Sequence, residues 1–471
     1  MQRRIKERGK VFRDPVHRLI RIEPGDDFIL DLIDTPVFQR LRRIRQLGVS
    51  WLTYHGAEHS RFSHSLGVFN FAQRILRSLM NRYRNNEVLK DYLDVHTKEL
   101  KAAALLHDIG HAPFSHLLER AFDDSPSHED KTIELILDSN GPIANRLSES
   151  DVDVDPNKVA EIIEETSENW LITDIVSSQL DADRMDYLLR DSLHTGVEYG
   201  RYDSEWIIRN LCIGTDPGKP DHLANEIDFS HQRLCLDRHR GVHSAEQLIL
   251  ARIHMTMQVY MHRVTRGFET LLLNLFRLAA DLADQGKLPD GTPESVRHYF
   301  ETKGKLSTEQ WIRFDETAMY AAITIWASTD NTQFNDLQRM AQAFLDRKRI
   351  YKARVVRENE LGLTGWQAVS SALQKVGDQG IDWELDEGKI MPYKGLLYAA
   401  GRPKKDPEEQ SAESILLASG DIGDCATPID TESDILHMLD FRGQAVSRIY
   451  YDREKATEIG RASCRERVYC E

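Results

Sequence analysis

The chain has 471 residues, 41% of them apolar, and a formal net charge of −15. That length fits one large or two medium domains, and a mean hydropathy of −0.49 without a run of about 18 apolar residues excludes a predicted membrane span. The acidic balance excludes nonspecific attraction of nucleic acid to the whole surface, so an anionic substrate has to be met by a local basic pocket.

The N-terminal MQRRIKERGKVF is basic but lacks the apolar stretch of a signal peptide, so a cytoplasmic protein without membrane attachment is expected. Residues 31–47 (DLIDTPVFQRLRRIRQL) place Val37, Leu41, Ile44 and Leu47 at spacings of four and three, which predicts a helix capped by Asp34 or Thr35 with Pro36 in its first turn. Ser65 to Met80 carries a second apolar stripe, and helices are also expected over 99–106, 128–137, 158–165 and 173–191. His243 to Gln285 reads as one or two helices with a nearly unbroken apolar face.

Past Gly286 the character changes. Helical patterns at 294–302, 308–325 and 333–350 give way to strand-like KARVVREN, GIDWEL and KGLLYAAG, a charged loop (RPKKDPEEQSAES), and AVSRIYYD as an edge strand. The expected architecture is mostly α: a helical body over 1–285 and a smaller C-terminal α+β lobe over 286–460, with oligomer contacts assigned to that lobe. The last residues, 461–471, read as a disordered or appended tail. Five cysteines without a CxxC pair argue against a zinc ribbon and against a disulfide framework.

Chemistry concentrates in ALLHDIGHAPFSH (104–116). His64, in SRFSHSLGV, His107 with Asp108, and Asp183, in SQLDADRMDYLLRDS, come from separate helices. Two imidazoles and two carboxylates are a mixed nitrogen–oxygen set that suits a borderline divalent ion such as Mn, Fe, Ni or Zn, with Mg a further candidate. Taken singly, each histidine reads more simply as a hydrogen-bonded core or surface residue. Asp181, Asp183 and Asp186 equally fit a salt-bridge ladder with Arg184 and Arg190. Asp183, Tyr187 and Asp191 recur every four residues, so one helix face can present a ligand, a phenol and a carboxylate together. Arg61 and Arg184 flank two of the metal candidates and would focus positive charge where the acidic surface lacks it.

Six blocks, RDPVH (13–17), DTPVFQRLRRIRQLG (34–48), SRFSHSLGV (60–68), ALLHDIGHAPFSH (104–116), DADRMDYLLRDS (181–192) and RIHMTMQVYMHRV (252–264), stand in one order. In that order they resemble the HD-domain phosphohydrolases, in particular the deoxynucleoside triphosphate triphosphohydrolases, over residues 10–270 or so. The resemblance implies His64, His107, Asp108 and Asp183 as metal ligands. It implies His111, His116 and His128 beside the scissile phosphate with Glu119 near them, at a position that is commonly Asp in the family. It places Arg61, Arg184 and Arg252 on phosphates, Gln46, Tyr187 and Asp191 around the sugar, and Tyr260 against the substrate.

The implied reaction is metal-dependent hydrolysis of a deoxynucleoside triphosphate (dNTP) to deoxynucleoside and triphosphate, with a second Mg carried by the substrate phosphates as a further implication. Lys10, Val11, Asp34, Gln39 and Arg42 resemble an activator pocket for GTP or a dNTP, although Arg13 stands where the family pattern has Asn. A homo-oligomer (dimer, tetramer or hexamer) is implied with it. Two other functions fit the same residues. One is an HD phosphodiesterase or nucleotidase on other phosphoesters. The other is a non-catalytic nucleotide-sensing or single-strand nucleic-acid-binding assembly, which the absence of a basic stripe interleaved with aromatics disfavours.

Overall fold

The computed structural model describes residues 9–122, 125–217, 229–356, 371, 383–389, 414–438 and 445–453. An antiparallel hairpin opens it, Lys10–Asp14 against Arg18–Ile22, with Asp14 opposite Arg18. Ile20 and Ile22 turn one face of the hairpin into the core.

The helix expected over 31–47 is three pieces. Asp27–Ile33 ends at Asp34, Pro36–Arg40 follows, and a 3-10 turn covers Leu41–Arg43. Thr35 is the cap: its hydroxyl accepts from the Phe38 amide at 3.3 Å, and Pro36 occupies the first turn, where its missing N–H costs nothing. Beyond Arg43 the helix cannot continue, because Ile44 is extended, Arg45 bridges to Ser60, and Ile44 and His59 accept amides across that bridge.

Two long helices, Arg61–Arg82 and Glu87–Leu106, form the centre. Leu66, Phe69, Ala72, Ile75, Leu76 and Leu79 of the first are buried, and each large apolar side chain so removed from water contributes about 1.5–3 kcal/mol. His128–Leu137 spans the residues expected, started by a capping box between Ser127 and Asp130. The expected 173–191 helix is two: Trp170–Val176, then Ala182–Thr195. Asp181 separates them, its carboxylate accepting from the Arg184 amide at 2.6 Å as an N-cap.

The 243–285 segment is also interrupted. Val242–Met255 runs into a π-helical turn over Thr256–Tyr260, and Arg263–Asp284 follows. The extra residue of a π turn changes which way its side chains face, and here it carries Tyr260. The main apolar core runs from Ile20 to Tyr450, and a small separate one gathers Cys212, Cys235, Leu416, Ala418 and Ala426.

After the helices Glu294–Glu301, Thr308–Arg313, Glu316–Ala327 and Asn335–Leu345, a three-stranded sheet has the order Tyr351–Val356, Ala445–Asp452, Trp383–Lys389. The strand expected at an edge is therefore central, antiparallel to both neighbours. Tyr450 and Asp452 bury one face of it, while Ile449 and Tyr451 are half-buried. A further small sheet pairs Leu211–Thr215, Gln232–Asp237, Leu416–Ala418 and Thr427–Pro428; short apolar runs without clear periodicity hid it. KGLLYAAG and the 461–471 tail lie outside the described residues. Cys212, Cys235 and Cys425 are free, and among the described residues no helix is long and apolar enough to cross a membrane.

Candidate metal centre and substrate cleft

Three helices deliver the metal candidates. His64 enters in the first turn of Arg61–Arg82, His107 and Asp108 follow the last turn of Glu87–Leu106, and Asp183 sits in the first turn of Ala182–Thr195. His64 Nε2 lies 2.9 Å from an Asp183 oxygen and 3.7 Å from Asp108. His107 Nε2 lies 3.6 Å from Asp108 and 3.7 Å from Asp183.

Burial opposes charge on the His64 ring, but hydrogen bonds to Asp183 and Asp186 outweigh it and raise its pKa to about 10. Asp183 and Asp108 are held below the usual carboxylate range. For both, burial acts the other way and loses, to the two histidines around Asp183 and to Arg61 beside Asp108. Nε2 of His107 is buried with no hydrogen-bond partner among the described residues. A buried orphan nitrogen facing two ionised carboxylates needs a cation, and the two-nitrogen, two-oxygen set fits a borderline divalent ion.

A buried network behind this cluster fixes it. His64 Nδ1 meets Asp186 at 2.9 Å, which leaves Nε2 to face the centre. Asp186 is also reached by His17 at 2.6 Å and by the Arg190 guanidinium, which donates two bonds at 2.7 and 2.9 Å. Arg190 is anchored on Asp14 at 2.9 Å. Asp186, Arg190 and His64 are 0–1% exposed, so this is a buried support rather than a solvated ladder. The helices approach closely enough because residue 67 is Gly: a Cβ there would lie 1.9 Å from an Asp186 oxygen.

The ladder alternative and the ligand reading both hold, at different residues. Asp181 pairs with Arg184 and Asp186 with Arg190, while Asp183 turns to Nε2 of His64 and His107 at the centre. Sequence reasoning assigned no role to Asp14 and His17, although both stand in the RDPVH block.

The second histidine group lies beside the first. His111 Nε2 is 3.1 Å from Asp108, and the His111 and His128 rings stack with centroids 3.9 Å apart. Gly110 makes the contact possible, since a Cβ there would meet the His128 carbonyl at 2.2 Å. Thr132 locks it: its hydroxyl accepts from the Gly110 amide at 3.0 Å and donates to the His107 carbonyl at 3.2 Å. Glu119 receives His116 Nδ1 at 3.2 Å and faces His128 Nδ1 at 3.4 Å. Those two histidines draw its pKa well below the ordinary glutamate value against the pull of burial. Buried Arg40 ties the loop down by donating to the His111 and Phe314 carbonyls at 2.8 and 2.6 Å.

Each predicted phosphate-binding arginine already has a protein partner. Arg61 donates to Asp108 at 2.6 Å and to Ser115 at 2.9 Å, Arg184 pairs with Asp181, and Arg252 donates to Gln179 at 3.1 Å. At the far end of the Ala182–Thr195 helix, Asp191 accepts from Tyr260 at 2.8 Å and meets His59 Nε2 at 2.8 Å. Tyr187 and Tyr260 face edge to ring with centroids 6.3 Å apart. Gln46 joins this end through its amide bond to the His59 carbonyl, and its Oε1 is buried without a partner. His59 escaped sequence reasoning; only its position two residues before Arg61 could have signalled it.

Of the activator candidates, Gln39 accepts from Arg42 at 2.8 Å, and Arg42 stacks 3.5 Å over the Phe62 ring with Asp34 close enough to support its charge. Lys10 and Val11 lie on the hairpin, with Val11 exposed.

The fold and the centre define a helical, metal-dependent phosphohydrolase. The chain belongs to the HD-domain phosphohydrolases, in their dNTPase-like branch: residues 61–191 match the HD domain and residues 220–347 an HD associated region. It is 33% identical to the uncharacterized protein YwfO of Bacillus subtilis, over 94% of this chain and 92% of that one. It is 31% identical to the deoxynucleoside triphosphate triphosphohydrolase SAMHD1 of Gallus gallus, where the alignment spans 51% of this chain and 44% of the relative. A crystal structure of a phosphohydrolase from Bacteroides thetaiotaomicron superposes with a TM-score of 0.69 at 26% identity, covering 94% of this chain and 99% of that one.

Proposed function

We propose that this chain hydrolyses deoxynucleoside triphosphates to deoxynucleoside and triphosphate. One observation carries the reading: Asp183, Tyr187 and Asp191 line one face of the Ala182–Thr195 helix. That face runs from the metal centre to a buried polar cluster of Asp191, Tyr260, His59 and Gln46. A polar cluster beside a phosphate-cleaving centre suits a nucleotide whose α-phosphorus would lie at the metal and whose ribose would lie on Tyr187. The similarity to SAMHD1 supports the same substrate class.

A divalent ion held by His64, His107, Asp108 and Asp183 supplies Lewis acidity toward a phosphoryl oxygen and toward water. Water attacks the α-phosphorus in line, and the bond to O5′ breaks. His116 gives its proton to the departing O5′: its side chain is 61% exposed, and Glu119 holds Nδ1, so Nε2 is the nitrogen left to act. Arg61, Arg184 and Arg252 stabilise the charge on the phosphoryl oxygens after exchanging their present partners. Asp191 and Gln46 read the sugar hydroxyl.

The activator residues and the oligomer belong to the same proposal. Four dNTPs assayed with Mn, Fe, Ni, Zn or Mg, with and without GTP, and read by product mass test it. Deoxynucleoside plus triphosphate is the expected pair. Orthophosphate or a nucleoside monophosphate indicates the alternative phosphodiesterase or nucleotidase, and oligonucleotide binding without turnover indicates the sensing assembly.

A further inference from the structure

Away from the metal, and resting on the proposed dNTP chemistry, we infer that His59 is a positioning residue for the sugar. It holds the Asp191 carboxylate at the angle that selects a substrate with a 3′-hydroxyl. A deoxyribose esterified at O5′ has one free hydroxyl, at C3′, so reading that sugar takes a polar group fixed in one orientation.

The two oxygens of Asp191 are held from different parts of the chain. His59 Nε2 lies 2.8 Å from Oδ1, and the Tyr260 hydroxyl donates to Oδ2 at 2.8 Å. A carboxylate only accepts, so the His59 proton sits on Nε2 and Nδ1 carries the lone pair. The two donors differ in how firmly they are mounted. The His59 side chain is 2% exposed. Its ring stacks on His194 with centroids 4.3 Å apart and planes at 17°, and its carbonyl accepts the Gln46 amide at 3.0 Å. Gly56 lets the preceding chain press on the end of the Ala182–Thr195 helix, since a Cβ there would lie 2.4 Å from the His194 carbonyl. Tyr260, by contrast, is half-buried on the π turn.

Asp191 is itself 2% exposed, so a substrate hydroxyl reaches it where a present donor gives way, and Tyr260 is the donor mounted to do so. His59 stays and keeps the carboxylate from turning, as a supporting hydrogen bond does for a binding group that has to hold its geometry. A histidine serving packing alone would have both ring nitrogens satisfied or would give way to an apolar side chain, which costs less to bury. Here Nδ1 of His59 and Oε1 of Gln46 are both buried without a hydrogen-bond partner among the described residues. Polarity is kept at this end of the helix beyond what packing requires, a conflict with stability that marks functional positions.

The test compares kcat/KM for a dNTP with that for its 2′,3′-dideoxy counterpart, both with Mn²⁺. The wild type is expected to favour the dNTP. His59→Ala is expected to reduce that preference by about 10–100-fold, the range for losing a hydrogen bond to a charged group, with the loss falling on the dNTP. His59→Gln, whose amide can donate to Asp191, is expected to recover most of the preference. Far-ultraviolet circular dichroism confirms that each variant is folded, and His59→Met, a donorless side chain of similar size, replaces His59→Ala if that variant does not fold. A purely structural role would lower both substrates alike and leave the preference unchanged. That result, a folded His59→Gln no better than His59→Ala, or a wild type without the preference overturns the inference and leaves dNTP hydrolysis standing. A wild type that cleaves no dNTP fails the proposed function, and this inference with it.

Discussion

The two histidine–carboxylate clusters are neighbours of opposite build. The first, around His64, is backed by Asp186, Arg190, Asp14 and His17, all of which find partners within the protein. The second, around Glu119, is held by backbone contacts through Gly110, Thr132 and Arg40, and its His116 side chain is 61% exposed. A charged support that cannot rearrange fixes ligands for an ion, whereas an exposed histidine at the start of the short His116–Glu119 helix can approach a substrate and exchange a proton with it. Rigidity and reach are thus divided between adjacent clusters.

The largest effect that could break this division is loss of a ligand in the rigid cluster. Asp183→Asn or His107→Ala is expected to lower the high-affinity metal at that centre from about one ion per chain to near zero, because affinity depends on the complete deprotonated ligand set. Turnover is expected to vanish with it. Mass-spectrometric metal analysis of a purified variant that still carried a full complement would show that the ligands are misassigned.

In the exposed cluster, His116→Ala is expected to reduce turnover by about 10²–10⁴-fold while metal content and melting temperature stay at wild-type values, the usual range for removing a general acid. Unchanged kcat would remove that role. The supporting network comes next. Asp186→Asn leaves all four ligands in place, yet is expected to weaken metal binding by about 10–100-fold, the usual cost of losing a partner behind a ligating histidine. Wild-type affinity in a folded variant would make Asp186 purely structural.

Proton linkage sharpens the comparison further. His64 is raised to about 10 by Asp183 and Asp186 despite burial, so in the metal-free protein it is charged at neutral pH. An incoming ion has to displace that proton, and affinity therefore rises with pH up to about 10 and falls as the solution is acidified. Calorimetric titration in buffers of different ionisation enthalpy is expected to register proton release on ion binding at pH 7. Binding that is independent of the buffer would contradict this. The smallest effect lies away from both clusters: Thr35→Ala removes a helix cap and is expected to cost about 1 kcal/mol of stability, without changing metal content.

How much of this was legible in the sequence depended on periodicity and on local chemistry. The Asp183, Tyr187, Asp191 face followed from four-residue spacing, and the 128–137 helix from its apolar pattern. Helix interruptions were harder to see. Asp181 reads as one more acidic residue until its carboxylate is found capping Arg184, and the π turn at Thr256–Tyr260 keeps the apolar pattern while shifting the register. The Ala445–Asp452 strand looked like an edge because its neighbours in the sheet come from 351–356 and 383–389, remote in the chain. The buried support was hidden for the same reason: Asp14 and Asp186 are 172 positions apart and meet through Arg190 and His17. Glu119 was legible as a member of the site, but not its contact with two histidines at once.

The most direct measurement is hydrolysis of a dNTP in ¹⁸O-labelled water with Mn²⁺ present, with both products weighed. Attack at the α-phosphorus predicts an unlabelled deoxynucleoside and a triphosphate carrying one ¹⁸O. Label in orthophosphate or pyrophosphate, with a nucleoside diphosphate or monophosphate beside it, would place the cleavage elsewhere and contradict the account.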